Sequence, residues 1–121
     1  LVATTLRAAE LATLTLSGVT LTSPTFKPAV DASGTLTGHF VLTNCDYDGQ
    51  VIVDFGRSEL DPLDAGTTYE IGTVTGTLPD LARWRVVNTG IAQGAGDFSP
   101  VGEDGKIRVT LSRRGFLMTV R

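Results

Sequence analysis

This sequence predicts an all-β domain, and three observations carry that prediction. Apolar residues alternate with Thr and other polar residues through Leu11–Leu16, Leu36–Thr43 and Lys106–Leu111, the period of an extended chain that presents two faces. The 14 glycines and 5 prolines fall largely between such stretches, where turns require them. Thr, Val and Gly are abundant while Glu, Lys and Gln are scarce, which is strand rather than helix composition. About eight strands at turn spacing favour an antiparallel β-sandwich or jelly-roll-like domain. The alternative is the terminal coils of a β-solenoid with a hairpin cap, against which stands the absence of a strict internal period.

Residues 1–10 read as an extended N-terminal arm, with Val2, Thr4, Leu6 and Ala8 on one side, and residues 11–121 as a single β domain. Ala12, Leu14 and Leu16 then share a face, but Val19 and Leu21 follow on the opposite parity, so a bulge or tight turn is expected at Ser17–Gly18. Pro24 and Pro28 mark Ser23–Ser33 as a loop with Phe26 and Val30 tucked beneath it. A strong strand covers Leu36–Thr43. NCDYDG at Asn44–Gly49 reads as a hairpin turn ending in Asp-Gly, and Gln50–Phe55 as the returning strand.

Gly56–Gly66 reads as an exposed connection. In Asp64–Val87, Tyr69 and Ile71 share a face, Gly76 and Pro79-Asp80 reverse the chain, and Trp84, the only tryptophan, anchors a second strand of a hairpin or adjacent pair. Gly90–Gly105 reads as a long loop. Lys106–Leu111 and Phe116–Val120 form the predicted terminal hairpin, with Arg113-Arg114 in its turn.

A chain of 121 residues favours one domain, large enough to bury about two-thirds of its unfolded surface without disulfides or metal. The net charge of −3 and a single adjacent basic pair argue against a general nucleic-acid binder, which needs clustered Lys and Arg. No apolar run approaches the roughly 20 residues of a helical membrane span. Cys45 has no internal disulfide partner and reads as a small buried strand-end residue. The start at Leu1 fits removal of a leader peptide and equally a piece of a longer chain.

No residue set specifies a reaction, and the chain is expected not to be an enzyme. The only histidine, His39, falls on the outward parity of a regular strand, which leaves a hydrolase triad without its base. One His and one Cys do not make a zinc site. Asp46, Asp48 and Asp54 place oxygen ligands near a turn and are the calcium candidates, without the closing Glu of a twelve-residue loop; no other cofactor is expected. Asp61, Asp64, Asp80, Glu103 and Asp104 are acids of the kind glycoside cleavage pairs, here scattered through loops. Gly90, Gly94 and Gly96 lack phosphate-loop spacing. Tyr69 and Trp84 are the candidates for a glycan-stacking platform, although their inward parity favours the core.

Ala65, Gly66, Thr68, Tyr69, Ile71, Thr75 and Gly76, then Trp84, Val86, Val87 and Gly90, and finally Gly115, Leu117, Val120 and Arg121 form a pattern. Over roughly the second half of the chain it resembles the C-terminal region of large secreted bacterial proteins with autotransporter-associated β-strand repeats. The resemblance implies secretion, a β-rich passenger or surface segment, and no catalytic residues to transfer; the long repeat arrays usual in that family are absent here.

The expected function is therefore an extracellular structural or adhesive module, secreted or at the cell surface. Its specific form is a self-assembling filament or surface-layer subunit that associates through a sheet edge or adds its N-terminal arm to a neighbour's sheet. The alternatives are a carbohydrate-binding β-sandwich and a viral decoration or fibre protein.

Overall fold

The computed structural model describes residues 4–8, 12–31, 35–91 and 94–113. It is all-β among these residues: β1 Thr5–Arg7, β2 Thr13–Ser17, β3 Thr20–Thr22, β4 Thr25–Lys27, β5 His39–Thr43, β6 Asp46–Asp48, β7 Val51–Arg57, β8 Thr68–Thr75, β9 Trp84–Thr89, β10 Gly94–Phe98 and β11 Lys106–Arg113, with one 3-10 turn at Leu81–Arg83.

Pairing is mixed, and departs from the antiparallel expectation. The sheets run β1-β4-β7-β9, β10-β11-β8-β5-β2 and β3-β6. Every pair up to β9 is parallel; only β8–β11 and β11–β10 are antiparallel. From β1 to β10 consecutive strands thus lie in different sheets, and each of β1 to β5 and β7 pairs with a strand one circuit later. Thr13 lies on His39, Thr20 on Asp46 and Thr25 on Ile52, while the next circuit places Phe40 on Gly72 and Val51 on Trp84. The offset is 20 residues for β1 on β4, 26 or 27 for the next three pairs and 32 or 33 for the last two, because the later connections are longer, which is why no fixed period is legible.

Left-handed residues turn the chain between sheets. Gly18, Asn44 and Gly76, with φ of 68°, 51° and 84°, occupy equivalent corners of successive circuits, joined by amide bonds from Gly18 to Thr43 O and from Asn44 to Thr75 O. The parity shift at Gly18 is therefore a corner, not a bulge. Ser23 and Gly49, φ 47° and 73°, form a second corner, with the Ser23 amide donating to Asp48 O. NCDYDG is consequently no hairpin turn: Asn44 and Gly49 are two corners flanking β6.

Three other expectations change. Ser23–Ser33 contains β4; Pro24 enters it using only its carbonyl, which accepts from the Ile52 amide, so the missing N–H costs nothing there. β8 and β9 belong to different sheets and form no hairpin. Gly94–Phe98, expected as loop, is β10, where Gly96 allows close approach: a Cβ built there would lie 2.5 Å from Val86 Cγ2.

The three sheets enclose one core. Leu21, Phe26, Leu42, Val53, Ile71, Val109 and Leu111 are buried, each such side chain contributing about 1.5–3 kcal/mol over its exposed state. Aromatic rings from five strands meet at its centre. Phe26 packs edge-on to Phe40 at 4.8 Å and stacks on Trp84 at 5.6 Å, and Trp84 also meets Tyr47 and Phe98 at 5.8 Å each.

Candidate functional site

β1 pairs in parallel with β4, and amide bonds run from Thr25 to Thr4 O and from Ala8 to Lys27 O. Leu6 and Ala8, at 9% and 3% exposure, lie in the chain's own core. These arm residues therefore do not project toward a neighbour: an apolar side chain on a strand bonded into its own sheet gains more by closing its own core. Val2 lies outside the described residues.

The calcium candidates are on different faces. Asp46 and Asp48 are exposed on β6, whereas Asp54 on β7 is held 3.7 Å from Lys27 Nζ and accepts from the Gly56 amide and Asn88 Nδ2. Among the described residues no three His, Cys, Asp or Glu converge on one point. The loop acids are likewise dispersed. Asp61 pairs with Arg57, Asp80 caps the 3-10 turn through the Ala82 amide, and Asp104 binds Arg108 at 2.6 Å. Asp64 and Glu103 are exposed.

Tyr69 and Trp84 are 5% and 6% exposed, so neither presents a ring face to a sugar. Burial raises the Tyr69 phenol above its ordinary range, with the Asp64 charge adding to the shift and Arg57 opposing it. His39 is exposed on β5, and the buried Cys45 thiol sits 3.6 Å from the carbonyls of Leu16 and Thr43. The predicted terminal hairpin is also absent at its first strand: β11 has β8 along one side and β10 along the other. Phe116–Val120 and Arg114 lie outside the described residues, and Arg113 ends β11.

Among the sheet edges of the described residues, two, neither of them a catalytic site, stand out for the backbone groups they offer. The first is the outer edge of β2. The Gly18 amide donates to Thr43 O and the His39 amide to Ala12 O, so by the alternation of a parallel ladder Ala12, Leu14, Leu16 and Gly18 point at β5. Thr13, Thr15 and Ser17 point the other way, where no described strand pairs with them. β2 carries no charge and no proline, and β3 beside it none either. The sequence reading found the Thr-rich alternation but had no signal that this strand ends a sheet.

The second is a gap in the small sheet. After β8 the chain leaves its circuit at Gly76 and rejoins it at Trp84, so β6 has β3 on one side and no described strand on the other. A cleft of about 460 Å³ lies there, lined by Thr20, Asp46, Tyr47, Asp48, the 77–79 bend and Asp80. The Asp46 amide donates to Val19 O and Asp48 O accepts from Ser23, so the Tyr47 amide and carbonyl face this cleft. Its phenol oxygen is buried without a hydrogen-bond partner among the described residues, and burial, reinforced by Cys45 and Asp46, holds its proton on well above the ordinary tyrosine range.

No family model, curated protein or solved structure matches the chain.

Proposed function

We propose that this chain is an extracellular structural module, the capped end of a β-solenoid, acting through strand-edge contacts rather than through chemistry at a site. The observation that carries the reading is the difference between the two ends of the stack. At the β8 end the chain turns back as the antiparallel β11–β10 pair, and Gly96 of β10 is set against Val86 of β9. At the other end β2 carries neither charge nor proline, two of the devices by which natural edges avoid pairing.

A strand added there continues the ladder through Thr13, Thr15 and Ser17, and a second copy supplies one. Between two copies of this chain that pairing runs edge to edge through the same strand on both sides, so it is isologous and closes at two copies. The resemblance to C-terminal regions of secreted β-repeat proteins and the Thr-rich strands support a place outside the cell or on its surface. Sedimentation equilibrium with negative-stain microscopy tests the reading: paired particles of twice the chain mass are expected. A monomer at every concentration would refute it.

A further inference from the structure

We propose that the outer face of the β1-β4-β7-β9 sheet binds an anionic polysaccharide, a chain of uronate sugars. Charge is unevenly placed on this protein. Against a net charge of −3, this face carries Arg7, Lys27 and Arg85, with Arg83 exposed where the 3-10 turn leads into β9, and Asp54 as the acid in its ranks. Elsewhere Arg57, Lys106 and Arg108 are each paired with a carboxylate. Lys27 lies 3.7 Å from Asp54, which leaves Arg7, Arg83 and Arg85 with no ion pair among the described residues.

Leu6, Phe26, Val53 and Trp84 are buried in the core, so their neighbours along each strand form the outer face. Register sets Thr5, Thr25, Ile52 and Arg85 side by side across the four strands, with Arg7 beside Lys27 in the next rank. Three strand spacings of about 4.8 Å put β1 and β9 about 14 Å apart, so a ligand that meets Arg7 and Arg85 together carries its charges along a chain. Repeated carboxylates suit the guanidinium fork, which binds each through two parallel N–H bonds. Thr5 and Thr25 lie between the cations and offer hydroxyls to those of the sugar rings. A single-stranded nucleic acid would stack its bases on aromatic rings, and the ranks of this face hold none. Lipid headgroups are met by tight clusters of Lys and Arg, whereas these cations are spread over the width of a sheet. The face is separate from the β2 edge, which ends a different sheet, so the proposal stands whether or not two copies pair there.

The test is fluorescence anisotropy of a labelled polygalacturonate oligomer titrated with the full chain. Saturable binding is expected, about tenfold weaker for Arg83→Gln/Arg85→Gln, the order that hydrogen bonds to charged groups contribute, and weaker again at about 0.5 M salt, since exposed charge pairs are screened. Arg83→Lys/Arg85→Lys, which keeps the charge and loses the fork, gives an intermediate loss and guards against misfolding of the neutral variant. Lys106→Gln, which removes a cation from the other large sheet, leaves binding unchanged, and so does Thr15→Pro at the β2 edge. Absence of saturable binding, a loss for Lys106→Gln as large as for the paired arginines, equal binding of the methyl-esterified oligomer, or tighter binding of a DNA duplex or of phosphatidylserine vesicles at the same salt would overturn the proposal.

Discussion

At Gly76 two requirements coincide. Its φ is 84°, and a Cβ there would run into the Asn44 amide oxygen of the circuit beneath. Gly18, with φ 68°, has open space around it. Gly18→Ala therefore pays only the left-handed backbone cost, about 1 kcal/mol, whereas Gly76→Ala adds a steric conflict and should cost about 2–3 kcal/mol in urea unfolding. Equal losses would show that the corner column is not packed this way. Trp84→Ala should lower stability by about 3–5 kcal/mol, the loss of a buried aromatic, since the indole contacts Phe26, Tyr47 and Phe98.

Also at the residue scale, the Asp104 carboxyl is held below its ordinary value, first by the Arg108 hydrogen bond and then by the Lys106 amide. A depressed acid stabilises the fold above its unfolded value and loses that contribution as pH falls through the folded one. The stabilisation of wild type over Arg108→Gln should thus shrink as pH is lowered below about 4. Carboxyl NMR checks the cause: Asp104 should titrate at higher pH in the variant, and an unmoved titration would contradict it.

At the scale of elements, the strands with clean alternation were legible and the punctuated ones were not. His39–Thr43, Val51–Arg57 and Lys106–Arg113 lie where period two places them. β4, β6 and β10 were missed because Pro24, the NCDYDG run and Gly94–Gly96 carry turn residues, which here serve corners and a close approach rather than loops. A hairpin turn and two successive corners use the same left-handed residues, and only the partner strand tells them apart. Ladder direction yields a sharper prediction on β2: Leu16→Pro should cost about 3 kcal/mol or more by removing an amide that bonds β5, while Thr15→Pro, whose amide faces outward, should cost much less. Thermal melts of the two variants check this.

For the whole molecule, composition made the all-β character readable, but not the parallel stacking. Parallel pairing sets residues 20 to 33 positions apart side by side, a relation that local alternation does not encode and that unequal connections hide. The edges were illegible for the same reason, because a strand's place in its sheet depends on strands far away in sequence. Yet on this account the edges are what the protein works with. The most direct measurement is sedimentation velocity of wild type and Thr15→Pro across a range of concentrations, with far-UV circular dichroism to check that both chains are folded. The account predicts a concentration-dependent two-copy species for the wild type that Thr15→Pro abolishes while the chain stays folded. A wild type that remains a monomer, or a Thr15→Pro chain that still pairs, would contradict it.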